Sequence, residues 1–125
     1  MPSIAPRYGL GTIIPYTAGE AVEKGQYLYV SGPRTVAIAR SSEHATRHVI
    51  GAAFRAAASG ARILVLTDGK LPGLTGITPG APYFLQADGY GAELPPTAGF
   101  ILKVGLGADT GELIVRVGEL KIKAS

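Results

Sequence analysis

The chain has 125 residues, a length that suits one domain. It contains no Cys, which excludes a disulfide framework and a thiolate metal site and suits assembly in a reducing cytoplasm. Charged residues make up only 17%, the net charge is +3 and the mean hydropathy is +0.24, so this small domain has little polar cover and is expected to bury apolar surface against a second copy or another partner.

Residues 1–18, "MPSIAPRYGLGTIIPYTA", carry Pro2, Pro6 and Pro15 and show no hydrophobic period. The prolines forbid a helix and remove sheet donors. The segment therefore reads as an extended N-terminal arm. Its residues Ile4, Arg7, Tyr8, Leu10, Ile13, Ile14 and Tyr16 are candidates for holding a partner. No basic segment followed by an apolar run opens the chain, and no apolar run is long enough to span a membrane, so neither a signal peptide nor a membrane span is expected.

Residues 19–120 read as one β domain. "AVEKGQYLYVSG" (21–32) ends in an aromatic, apolar segment typical of a strand. "SSEHATRHVIGAAFRAAASG" (41–60) is Ala-rich, yet Gly51 lies in mid-run, which costs a helix about 1 kcal/mol against Ala. We read a short helical turn over Ser42 to Arg47, capped by Ser41 or Ser42 and carrying a Glu43–Arg47 pair, and then a strand from His48 to about Arg55. "RILVL" (62–66) is a further strand. "GITPGAPYFLQADG" (76–89) repeats the grammar of residues 21–32. "ILKVGLGA" (101–108) alternates Leu102, Val104 and Leu106 with Lys103, Gly105 and Gly107, and "ELIVRV" (112–117) alternates Leu113, Val115 and Val117 with Glu112, Ile114 and Arg116. This period of two marks half-buried strands. "ADTGE" joins them as a hairpin in which Gly111 supplies a positive φ. "KIKAS" (121–125) reads as a basic tail.

The echo extends further. Gly25 and Gly80 are 55 residues apart, Gly51 and Gly105 are 54 apart, and the matched segments keep their order. Residues 22–71 and 77–120 are thus two similar halves. Each supplies too few strands to close a core, but together they make a small all-β barrel or sandwich.

A catalytic constellation is not legible. His44 and His48 are four apart without a third ligand nearby, Ser31, Ser41, Ser42 and Ser59 lie in turns, and "GLGTII" (9–14) lacks a preceding strand and a phosphate-loop Lys. Asp68, Asp88 and Asp109 occur beside or near Gly, where Asp serves turns. The chain reads as non-enzymatic, without cofactor or metal. Arg34, Arg40, Arg47, Arg55 and Arg62 form a basic stretch interrupted by one carboxylate, Glu43, and define a second candidate face for an acidic partner. That stretch has one aromatic, Phe54, so stacking on nucleic acid is not favoured.

"YTAGEAVEKGQYLYV" followed by "VIGAAFRAAASGARILVLTDGKL" resembles small phage capsid decoration, or cement, proteins. "GITPGAPYFLQADGYGAELPPTAGFILKVGLGADTGELIVRVGEL" is similar to β-rich domains of phage head-fibre and tail-associated proteins. The two resemblances cover Tyr16 to about Leu120. The sequence departs from the decoration pattern in having Arg-Ile-Leu where Gly-Glu is usual, and in the connection "FRAAASG". The resemblance implies a structural virion protein on the outer surface of a phage head, made in the bacterial cytoplasm, bound to the major capsid protein and forming a homo-oligomer, most often a trimer. A receptor-binding head-fibre or tail module, an oligonucleotide-binding barrel and a small hydrolase are the rival readings.

Overall fold

The computed structural model describes residues 12–118 and 120–122. Its strands are β1 (Thr12–Ala18), β2 (Tyr27–Gly32), β3 (Thr35–Ile38), β4 (Val49–Ala53), β5 (Arg62–Leu71), β6 (Pro82–Leu85), β7 (Gly91–Ala92), β8 (Phe100–Asp109), β9 (Glu112–Arg116) and β10 (Leu120–Ile122). The only helical element among the described residues is a single 3₁₀ turn, His44–Thr46. The protein is all-β, as the segment pattern predicts.

The strand order is β1-β3-β2-β4-β5-β9-β8-β6-β7. Pairing of β1 with β5 closes the first five strands into a barrel. Apart from β1, the order reads alike from either end. β3-β2-β4-β5 in one half mirrors β7-β6-β8-β9 in the other, and the halves meet where β5 pairs with β9.

The repeat extends to register. In the first half Tyr27 faces Ala52, Leu28 faces Gly51 and Tyr29 faces Val49, with a bulge after Leu28. In the second, Pro82 faces Leu106, Tyr83 faces Gly105 and Phe84 faces Lys103, with a bulge after Tyr83. Gly51 and Gly105 serve the same purpose in each half. A Cβ on Gly51 would lie 2.2 Å from the Leu66 carbonyl oxygen, and one on Gly105 2.9 Å from that of Ile114. Gly25 and Gly80, also equivalent, both have positive φ, 91° and 82°.

Three strands, β2, β4 and β5, form a wall with a core on each face. Leu28, Ala53, Ile63 and Val65 point into the barrel and pack with Ala18, Val22, Val36 and Ile38. Their neighbours Tyr27, Ala52 and Leu66 point the other way, into a core shared with Tyr83, Leu85, Phe100, Leu102, Val104, Leu113 and Val115 of the second half. Adjacent residues of a strand face opposite sides, so both sides of the wall must be apolar. The Tyr27 hydroxyl crosses this second core and donates to the Val104 carbonyl at 3.1 Å. Gln26 adds a tie between the halves through its side-chain amide, which donates to the Asp88 carbonyl at 2.9 Å.

Four expectations change. Residues 12–18 are not arm but the barrel-closing strand β1. Tyr16 packs against the barrel core and Ala18 lies in it. Pro15 fits because the N–H groups of Thr17 and Gly19 point to the β3 side, and Pro15 shares their parity. Its missing donor therefore faces the side where β1 has no partner strand among the described residues, and the β5 ladder loses nothing. The tail is shorter than read, because Lys121 and Ile122 pair with β8 in β10. The 3₁₀ turn takes Glu43 at its cap position without a side-chain bond. Instead, the buried Thr46 hydroxyl lies 2.8–2.9 Å from the carbonyls of Glu43 and Arg40 and from the Arg40 N–H, while Glu43 pairs with Arg40 rather than Arg47. The β8–β9 turn is made without a positive φ at Gly111. There the Asp109 carboxylate accepts from the Thr110 N–H at 2.8 Å.

Gly51→Ala and Gly105→Ala are each expected to destabilise the fold by roughly 1–3 kcal/mol through forced strand separation. Gly32→Ala, with open space at its Cβ, is expected to stay within about 0.5 kcal/mol of the parent. Urea denaturation of the three variants checks this.

Burial keeps the Tyr27 phenol protonated well above its usual range. The unfolded chain releases that proton near pH 10. Above that pH the unfolded state binds fewer protons than the folded one, so stability falls as pH rises, by up to about 1.4 kcal/mol per pH unit from this group. Tyr27→Phe is expected to cost about 1 kcal/mol at neutral pH and to flatten the alkaline slope. Urea midpoints followed from neutral to alkaline pH read both effects.

Candidate functional site

The closing strand positions the first candidate site. Thr17 of β1 lies opposite Thr35 of β3 on one side and Arg62 of β5 on the other. Its N–H donates to the Arg34 carbonyl at 2.8 Å. Arg34 and Arg62, 28 positions apart in the chain, thereby flank the same β1 residue. With Pro15, Tyr16 and Thr17 they line a groove of about 340 Å³. Arg62 also lines a second groove, of about 350 Å³, with Arg55, Ala56, Ile63 and Leu64. The Arg55 guanidinium sits 5.9 Å from the centre of the Phe54 ring, within cation–π range.

Arg34 stands in the β2–β3 turn after Pro33 with φ 52°, the one described non-Gly residue with positive φ. A turn with Pro first and positive φ second favours Gly or Asn there. Arg40 alone of the five arginines pairs with carboxylates among the described residues, Glu20 at 3.8 Å and Glu43 at 3.9 Å. Arg34, Arg47, Arg55 and Arg62 make no ion pair there. No carboxylate among the described residues compensates this end of the barrel.

The five-arginine face divides. Arg34, Arg55 and Arg62 share the adjoining grooves. Arg40 follows β3 at the end opposite Arg34, and Arg47 precedes β4, where its guanidinium donates to the His44 carbonyl at 3.1 Å. Of the arm candidates, Ile13, Ile14 and Tyr16 lie on β1, with Ile13 and Ile14 40% and 38% exposed. Ile4, Arg7, Tyr8 and Leu10 lie outside the described residues. Sequence reading did not find Thr17 or Thr35 as neighbours of the arginines, because their contact depends on β1 joining the barrel.

A second cleft, of about 440 Å³, lies on the other half and is lined by Thr75, Gly76, Ile77, Tyr83, Gly91, Ala92, Glu93 and Leu94. The Glu93 carboxylate accepts from the Thr78 hydroxyl at 2.5 Å and from the Tyr83 hydroxyl at 3.5 Å. The Thr78 N–H donates to the Tyr83 oxygen at 2.8 Å. Spacing alone did not single out Glu93. His44 and His48 join no cluster of three or more potential metal-ligating side chains among the described residues. No protein-family model matches the chain, and no curated protein matches it.

Replacing Arg34 by Gly relieves the turn, since the left-handed conformation costs an L-residue roughly 1–2 kcal/mol. We expect Arg34→Gly to raise the urea midpoint, the opposite of a typical surface substitution.

Proposed function

We propose that the protein is a structural component of a phage virion that docks on the outside of the head and stabilises the shell. The observation that carries this reading is one region of a doubly cored body where exposed apolar residues meet positive charge. β1 exposes Ile13 and Ile14, and three arginines that make no ion pair among the described residues gather at the end of the same strand. Exposed apolar side chains beside positive charge suit docking on a large protein surface. Ligation to the assembled shell, and not to free subunits, stabilises the shell by mass action, and several copies per contact site add retention. The resemblance of residues 16–120 to decoration proteins supports the same reading and implies a trimer. Ile4, Arg7, Tyr8 and Leu10 extend the docking segment in this proposal.

A receptor-binding module of the head or tail is the second reading. The Tyr83–Glu93 cleft favours it, because it offers polar groups on the half of the molecule without β1.

The test is sedimentation of the purified chain with phage heads stripped of their outer proteins. The full chain is expected to co-sediment and to raise the temperature at which the heads rupture, and light scattering is expected to report a trimer. A variant lacking residues 2–11 retains all of β1; it is expected to keep its circular dichroism and lose most head binding. Failure of the full chain to bind heads refutes the proposal. Binding that survives, together with loss of adsorption to host cells in Glu93→Ala, favours the second reading.

A further inference from the structure

We propose that the twin grooves around Arg62 are a docking surface for an acidic segment of a shell subunit, with Arg34 and Arg62 each taking a carboxylate and Arg55 extending the site. Ownership of the segment by the shell rests on the functional reading above; its chemistry does not. Three features lead to it. Arg34, Arg55 and Arg62 border two contiguous grooves and meet no carboxylate among the described residues, so the charge is left for an outside group. Guanidinium forks match carboxylate geometry in paired hydrogen bonds. Finally, Arg34 occupies a left-handed turn position where Gly fits better, which sets its side chain against a backbone cost.

The surroundings select a protein over a nucleic acid. Pro15 lines the groove and Ile13 shares its face of β1, and both are exposed aliphatic surface, which phosphates do not cover. Tyr16, the one aromatic lining the groove, packs against the barrel core, so the stacking faces that single strands require are not provided. Pro15 presents no N–H on the open side of β1, which disfavours simple strand addition. The site therefore holds its partner through side chains: acidic groups on the arginines, and apolar residues on Ile13 and Pro15.

The probe is a fluorescent peptide of about ten residues, the span of a long strand, built from Glu and Leu. Anisotropy is expected to report binding that weakens with salt. Arg34→Gly and Arg62→Gln are each expected to reduce affinity about tenfold, while Arg47→Gln leaves it unchanged. Arg34→Gly is expected to fold at least as stably as the parent, and its urea midpoint, measured alongside, separates a loss of binding from a folding defect. Three outcomes overturn the inference: no binding of the acidic peptide, equal binding by the Arg34 and Arg62 variants, or tighter binding of an oligothymidine of similar length. The same variants in the head assay separate the two readings. Heads that bind the parent and both variants equally refute this site but not the virion role. Heads that bind none of them refute the virion role, and the peptide result still decides the site.

Discussion

The wall of β2, β4 and β5 is the constraint on which the rest of the structure depends. Every pair of adjacent residues at its centre, Tyr27 and Leu28, Ala52 and Ala53, Val65 and Leu66, divides between two cores. A sheet buried on both faces leaves no room for outward polar side chains. It also needs thin residues where strands approach closely, which is why Gly51, Ala52 and Ala53 follow one another in β4. The low charge and positive mean hydropathy of the chain have their main physical cause here. The same composition had suggested apolar surface covered by further copies. Two internal cores absorb a large share of that apolar content, so the proposal of a trimer rests on the resemblance to decoration proteins and not on hydropathy.

The two halves share strand order, register, bulge and glycine positions, yet they are not used alike. In the second half β6, β8 and β9 bury one face and leave Lys103 and Arg116 exposed on the other. No strand equivalent to β1 covers that outer face among the described residues. The clean alternation of "ELIVRV" and the unbroken apolar run of "RILVL" are the sequence signatures of this difference. Both were legible, as was the repeat, because period and glycine spacing are local properties. β1 was not. Its alternation is hidden by Ile13, Ile14 and Pro15, and only pairing with β5, about fifty residues away in sequence, gives Tyr16 and Ala18 an inside to face.

The candidate site was legible as composition and not as geometry. The run from Arg34 to Arg62 is visibly basic, but a strand separates its members by direction. Arg34 and Arg40 bracket β3 and emerge at opposite ends of it, roughly 3.3 Å per residue apart along the strand. Arg40 then has Glu20 and Glu43 for company, whereas Arg34 has a threonine row and a second guanidinium. The positive φ of Arg34 follows from the β2–β3 turn geometry, which the dipeptide Pro33–Arg34 suggests only weakly.

That Ile13, Ile14 and the groove arginines meet along β1 has a structural reason. A repeat of two four-strand units would present the same surface twice, and identical faces pointing in different directions cannot both meet one partner. β1 breaks the equivalence. It closes one half, shields the barrel core with Tyr16 and Ala18, and carries Ile13, Pro15 and Thr17 on the opposite, outer parity. Because it pairs with β5 from Ile13 to Thr17 in continuous register, with one irregularity between Thr12 and Ile13, side chains on that segment start from a backbone already fixed in the sheet. Rigid placement of a few exposed groups lowers the entropic cost of association. The added strand thus serves stability on its inner face and leaves its outer face free for recognition, and the arginines of the neighbouring turn and strand lie where that outer face ends.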